Sequence, residues 1–227
     1  MMEKCNYRKD PHQDIDHVFR DLLLAHGMVE RPAQVELSHQ MLDTMLNGSI
    51  ALCDAGTGIG KTYAYLVAGV VFRRYRSRAG LPNQPLLIST SSIALQGAII
   101  HDYLPFLSKV MMADGMLDSP LRAVLRKGKS HYVCDARLMK RLQTANLDRK
   151  NPLAKAALLS MRDHLDLDMA PHLSGYDRER ICVPPTCDCG KTECRYLCYL
   201  DVCASERYAI QVCNHNLLLA DAIHQGS

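Results

Sequence analysis

The chain has 227 residues, 48% of them hydrophobic and 22% charged, with a formal net charge of +3. That length and composition exclude general disorder and allow one large domain or two small ones. No apolar run reaches the ~18 residues of a membrane-spanning helix. Residues 1–10 are too polar for a secretory signal, and any basic binding surface has to be local.

In chain order, residues 14–28 carry Ile15, Val18, Phe19, Leu22 and Leu23 at helical spacing and predict a helix ending near Gly27. Arg31-Pro32 opens a new element, and residues 34–46 read as an amphipathic helix stopped by Asn47-Gly48. Residues 49–53 are short and apolar and predict a buried strand with Cys53 in its core. A glycine-rich turn over 54–60 leads into a helix over 61–78 with an apolar front and a basic end. Residues 86–90 predict a second buried strand, and residues 92–107 a further helix broken at Pro105. This alternation argues for an α/β fold with a parallel sheet. Residues 111–150 are basic and methionine-containing with no strand signal, and 151–167 look helical. Residues 171–203 are rich in Cys, Pro and Gly, and 208–212 read as a returning strand. The expected organisation is an α/β domain in two pieces, residues 1–108 and 206–227, around an insertion over 109–205.

The segment Ala55-Gly56-Thr57-Gly58-Ile59-Gly60-Lys61-Thr62 follows a predicted strand and opens a predicted helix, the setting of a phosphate-binding loop. Glycines let successive backbone N–H groups converge on phosphate oxygens, and the helix N-terminus adds partial positive charge. Lys61 reaches terminal phosphates and the Thr62 hydroxyl suits Mg²⁺. The strict pattern begins with glycine, and here Ala55 stands in that place. The loop implies a nucleoside triphosphate and Mg²⁺ but is shared by kinases, ATPases, GTPases and helicases.

Of ten cysteines, seven lie between Cys182 and Cys213. A chain without a secretory signal and with one cysteine-loaded segment points to metal or iron–sulfur ligation rather than disulfides. By spacing alone, zinc on Cys182-x4-Cys187 and Cys189-x4-Cys194 is as good a reading as an iron–sulfur cluster. Residues 121–150 hold nine Lys or Arg against two Asp, and Arg73, Arg74, Arg76 and Arg78 form a second basic run. Such patches suit nucleic-acid phosphates, and Tyr103 and Tyr132 are candidate base-stacking residues. A solvated helix face is an equal reading for the Arg73–Arg78 run.

Five features in order, Arg31-Pro32-Ala33-Gln34, the phosphate loop, Thr90 to Gln96, the run Arg126 to Cys134, and Cys213-Asn214-His215-Asn216-Leu217-Leu218, resemble the N-terminal part of the XPD/DinG family of superfamily 2 DNA helicases. The resemblance spans Arg31 to Asp221. It implies a partial RecA-like motor domain interrupted by a mainly helical iron–sulfur insertion. It assigns adenine contact to Arg31 and Gln34, ATP binding to Gly56, Thr57, Gly58, Gly60, Lys61 and Thr62, and catalysis with Mg²⁺ to Lys61 and Thr62. It places Thr90 and Gln96 against single-stranded DNA and the Arg126–Arg141 run beside the element that parts the duplex. It implies a [4Fe–4S] cluster on Cys134, Cys182, Cys187 and Cys194, with Cys189 the main rival ligand. It further implies 5′ to 3′ movement on single-stranded or forked DNA, a cytoplasmic location and no membrane.

The family's Asp-Glu-Ala-His box and second motor domain find no counterpart in these residues. The expectation is therefore a front portion that is inactive alone and needs a C-terminal motor domain of the same protein. The alternative is a non-enzymatic zinc- and nucleic-acid-binding module with a vestigial phosphate loop.

Overall fold

The computed structural model describes residues 10–144, 152–187, 189–190 and 194–225; Cys5 lies outside them. The helices are α1 (Pro11–His17), α2 (Pro32–Leu46), α3 (Lys61–Arg78), α4 (Ile93–Ala98), α5 (Leu104–Ala113), α6 (Asp135–Thr144), α7 (Pro152–Ser160), α8 (Gly175–Ile181), α9 (Arg195–Ala204) and α10 (His215–Gln225). The strands are β1 (Leu86–Ser89), β2 (Ala123–Leu125) and β3 (Ile210–Cys213). The chain divides into two compact units, one running to residue 125 with 206–212, the other comprising 126–205 with the residues from 213 on.

The first unit is mixed α/β. β3 lies between β1 and β2 and pairs parallel with β2, Ala123 opposite Ile210 and Leu125 opposite Val212. At the other edge the Leu86 N–H donates to the Ala209 carbonyl at 2.9 Å. α3 buries Ala64 and every residue from Leu66 to Val71, as a helix packed on several sides must. Gly69 permits its approach to β1, because an added Cβ would stand 2.3 Å from Leu86 Cδ1. Val35, Leu42, Leu66, Val67, Ile99, Leu107, Ile210 and Val212 belong to one core. The buried Asp14 is paired by Arg78 at 2.9 Å and Arg74 at 3.5 Å, which offsets the cost of desolvating its charge.

Three sequence expectations are corrected here. Residues 49–53 form no strand; Ile50 and Leu52 are fully exposed and Cys53 is exposed, because no described strand offers this segment a ladder partner. β2 lies in the stretch that gave no strand signal. Three residues are too few for a periodicity, and its register comes from β3. Pro105 does not break its helix. α4 continues through a wide π-type turn, Ile99–Tyr103, into α5, with Pro105 in the first turn of α5. A widened turn absorbs the missing N–H and the ring that would clash in a regular helix.

The second unit is mainly helical. Antiparallel bridges join Tyr132 to Asp166 and Val133 to Cys182. Val133, Leu138, Leu158, Met161 and Ile181 pack on one side, and Tyr132, Cys134, Val183 and Tyr196 form a separate cluster.

Candidate nucleotide-binding site

Gly58 and Gly60 have φ of +82° and +86°. This left-handed region costs an L side chain about 1–2 kcal/mol. The curl delivers the loop to the N-terminus of α3, which Gly60 caps. There the first N–H groups of the helix and its dipole present positive character. Lys61 arches back over the loop, and its Nζ donates to the carbonyls of Ala55 at 2.9 Å and Gly56 at 2.8 Å.

Arg31 and Gln34 come from the start of α2. The Arg31 guanidinium donates to the Gly58 carbonyl at 2.6 Å, and Gln34 Nε2 donates to the Gly60 carbonyl, also at 2.6 Å. Gln34 is buried and lies so close to Gly60 that a Cβ there would meet Nε2 at 2.1 Å. Ser38, one turn on, donates to the Ala64 carbonyl at 3.0 Å and fixes α2 against α3. Arg31, Gln34, Gly58, Gly60 and Lys61 therefore converge on one loop. Gly56 and Thr57 lie in that loop, and Thr62 in the first turn of α3.

Thr90 and Gln96 are also brought together. Gln96 is 7% exposed, and its Nε2 donates to the Thr90 carbonyl at 2.8 Å. The Ser92 hydroxyl caps α4 by accepting from the Leu95 N–H at 3.2 Å. Gln96 thus shapes the β1–α4 loop from inside. The Arg73–Arg78 run is engaged within the fold: Arg73 donates to the Gln84 carbonyl, Arg76 to Pro82, and Arg74 and Arg78 to Asp14.

In the second unit, Cys134 precedes α6 and its carbonyl accepts from the Leu138 N–H at 2.8 Å. Cys194 caps α9, with its carbonyl accepting from the Cys198 N–H at 3.1 Å. Both residues thus stand at the N-terminal end of a helix. A hydrogen bond and charge from Cys187 push the Cys189 thiol up to about 11, and Cys134 and Cys194 act in the same direction. Cys134 and Cys194 belong with the Tyr132–Tyr196 cluster, whereas Cys182 packs against the Val133–Ile181 cluster. Residues opposite each other in an antiparallel bridge project to one side, so Cys182 shares the face of Val133, and the adjacent Cys134 projects to the other. The Cys182 thiol donates to the Glu179 carbonyl at 3.4 Å, and Arg137 donates to the Cys182 carbonyl at 2.8 Å. Among the described residues, no group of three or more His, Cys, Asp or Glu side chains stands at metal-holding distance.

Much of the basic stretch is paired. Lys127 bridges Asp166 and Asp168 at 2.6 and 2.8 Å, Arg126 meets Asp221 at 2.8 Å, and Arg141 meets Asp177 at 2.6 Å. Tyr132 is 3% exposed, packed on Tyr196 and Tyr199 with ring centroids 5.2 and 5.1 Å away, so it offers no stacking face. Tyr103 lies edge-on to Tyr63 at 5.3 Å. An aromatic the sequence reading passed over is Tyr176, 57% exposed, with the guanidiniums of Arg180 and Arg141 at 4.3 and 5.3 Å from its ring centre. These three, with Arg137 and Lys140, line a cavity of about 430 Å³. The signal was the Tyr176–Arg180 spacing of four on α8.

Among the described residues, no helix is long and apolar enough to cross a membrane. No protein-family profile matches the chain. Individual relatives do. The chain is 30% identical over 133 residues to the 3′-5′ exonuclease DinG of Bacillus subtilis, which is 59% of this chain and 13% of that protein. It is 30% identical over 129 residues to the ATP-dependent DNA helicase YoaA of Haemophilus influenzae, 57% of this chain and 18% of that protein. It is 35% identical over 85 residues to the ATP-dependent DNA helicase DinG of Photobacterium profundum, 37% of this chain and 10% of that protein. The chain thus matches less than a fifth of the length of each of these relatives. Over about half its own length, the chain is thus similar to proteins of the DinG and YoaA type, among them proteins named ATP-dependent helicases.

Proposed function

We propose that the chain is the nucleotide-binding front portion of an ATP-dependent DNA helicase of the XPD/DinG type. The observation that carries this reading is the grip of Arg31 and Gln34 on the carbonyls of Gly58 and Gly60. It makes the Arg-Pro-x-Gln element part of the phosphate loop's architecture. In this reading a RecA-like motor domain is interrupted by a mainly helical insertion over 109–205 and resumes at 206–227.

On binding Mg²⁺·ATP, the backbone N–H groups of residues 56–62 receive the phosphates. Lys61, whose Nζ is held by the Ala55 and Gly56 carbonyls, would turn to the terminal phosphates, and the Thr62 hydroxyl would be the residue to hold Mg²⁺. Arg31 and Gln34 hold the loop's curl and frame the adenine side. Hydrolysis also needs an acidic residue on the metal–water network and a second motor domain. This chain alone therefore binds nucleotide without hydrolysing it at a useful rate. Movement on single-stranded or forked DNA, 5′ to 3′, then comes from nucleotide-gated closure against the C-terminal motor domain, and the protein works in the cytoplasm. Tyr176, Lys140 and Arg180 supply a stacking ring and cations to the strand.

Four thiolates are what a [4Fe–4S] cluster requires, and Cys134, Cys187, Cys189 and Cys194 are free thiols of that donor type. We assign these four as ligands, with Cys189 in the place given above to Cys182. Such a cluster would cross-link the chain at Cys134, Cys187, Cys189 and Cys194. Zinc on the same thiolates is the competing occupant.

Titration of the chain with a fluorescent ATP analogue and Mg²⁺ tests the nucleotide reading. Saturable binding that weakens about tenfold or more in Lys61→Ala is expected, from the loss of a charged hydrogen bond. No binding by the unmodified chain would refute it. Iron and acid-labile sulfide near four each per chain, in protein purified without air, is the result expected for the cluster. Zinc without sulfide, with iron supplied, would move the assignment to the zinc module.

A further inference from the structure

The end of the first unit remote from the phosphate loop contains a cavity of about 530 Å³, walled by the last turns of α3, the 115–122 loop and residues 206–209. At 1.5 Å per residue, the 18-residue α3 separates its basic end from Lys61 by about 25 Å. The volume falls in the range of small-molecule sites. The wall holds five arginines, Arg73, Arg74, Arg78, Arg122 and Arg207, and no aromatic side chain. The carboxylates that answer them are Asp118 and Glu206 in the wall and Asp14 behind it, which leaves a surplus of positive charge. The arginines fall into two sets. Arg73, Arg74 and Arg78 are anchored, by the Gln84 carbonyl and by Asp14. Arg122 and Arg207 are exposed, and among the described residues neither guanidinium has a hydrogen-bond or ion-pair partner. They come together because Arg122 immediately precedes β2 and Arg207 closely precedes β3, and the two strands pair in parallel register; the Arg122 carbonyl accepts from the Ala209 N–H at 2.7 Å. Burial and the neighbouring Arg78 hold the Arg74 guanidinium below its ordinary value, although Asp14 and Asp118 act the other way.

We propose that this cavity is a second anion site that binds a small phosphate-bearing ligand, a phosphomonoester or pyrophosphate, through Arg122 and Arg207. Two free guanidiniums match one compact dianion through forked, charge-assisted hydrogen bonds. The absence of an aromatic wall means recognition by charge rather than by a stacked base. The proposal is independent of the helicase reading, because none of these residues touches the phosphate loop.

Calorimetric titration of the full chain with pyrophosphate in low salt tests it, in a Lys61→Ala background that weakens the phosphate loop. Saturable one-site binding is expected to persist there and to weaken about tenfold or more when Arg122→Ala and Arg207→Ala are added, the loss appropriate to charged hydrogen bonds. Both positions are exposed, so melting temperature stays unchanged, and Arg122→Gln with Arg207→Gln repeats the loss should the alanine pair alter folding. Absence of binding in the Lys61→Ala chain, or binding indifferent to both arginine pairs, overturns the proposal. Displacement of pyrophosphate by a twelve-nucleotide oligothymidylate without a terminal phosphate, at equal affinity, overturns the small-ligand assignment in favour of a nucleic-acid backbone.

Discussion

Gly60 satisfies two demands at once, a left-handed backbone and contact with Gln34 Nε2. Gly58 satisfies only the first, since nothing lies within 4 Å of a Cβ built there. Gly58→Ala should therefore cost about 1–2 kcal/mol of strain. Gly60→Ala should cost about 1–3 kcal/mol more and displace Gln34. Thermal melts compare the two costs, and nucleotide titration should show the larger loss in Gly60→Ala. His17 is a second informative residue, with Nδ1 at 2.7 Å from Asp21 and Nε2 at 2.9 Å from Asp114. The two hydrogen bonds, Asp21 first, raise it above its ordinary 6.5. Its contribution is fully present below 6.5 and is lost as pH climbs through the raised value. The melting-temperature gap between the native chain and His17→Gln should thus be larger at pH 6 than at pH 9. A gap that grows with pH would contradict the pairing. At this scale the sequence was informative where chemistry is local: a glycine–lysine loop shows its purpose in its own spelling. It was silent on partners, which is why Tyr132 read as a stacking face while lying inside an aromatic cluster.

Helices α2 and α3 were legible almost to their ends, because Pro32 opens one, Asn47-Gly48 closes it, and the phosphate loop opens the other. The continuity of α4 and α5 across Pro105 was not, since the π-type turn that accommodates the ring has no compositional mark. In the second unit, the segment leading from β2 is tied to residues 166–178 by a charge network. Asp168 accepts from Lys127 at 2.8 Å, from Arg178 at 2.7 Å and from His131 at 3.2 Å. Burial opposes ionisation there, but Lys127, Arg178 and His131 hold the carboxyl well below its ordinary 3.8. The sign follows: this stabilisation is present above pH 3.8 and fades as pH falls through the lowered value. Asp168→Asn should cost roughly 1 kcal/mol at pH 7, given the half-exposed setting. Denaturant melts at descending pH should show the two proteins converging in acid. A constant difference down to pH 2 would mean that the side chain acts by packing alone.

For the whole molecule, the expected layout was legible as alternating strands and helices, and the observed mixed α/β unit agrees at that level. What sequence periodicity could not supply is pairing. Residues 49–53 spell a strand by composition, yet Ile50 and Leu52 stand fully in solvent. Ile50→Lys with Leu52→Lys should leave the unfolding free energy within the ±0.5 kcal/mol typical of surface changes and reduce self-association in light scattering, because an apolar unpaired segment invites partners. A large loss of stability would place those side chains in a core. Pairing also sets a timetable. β3 is the middle strand, so β1 and β2 share no ladder until it arrives, about eighty residues after β2. Closing a loop of that length costs about 4 kcal/mol of chain entropy before any ladder bond is formed. At 5–20 residues per second, a ribosome needs about 4–16 s to deliver those residues. Throughout that interval two strand edges stay open on the nascent chain, so most of the second unit is made before the sheet of the first can close.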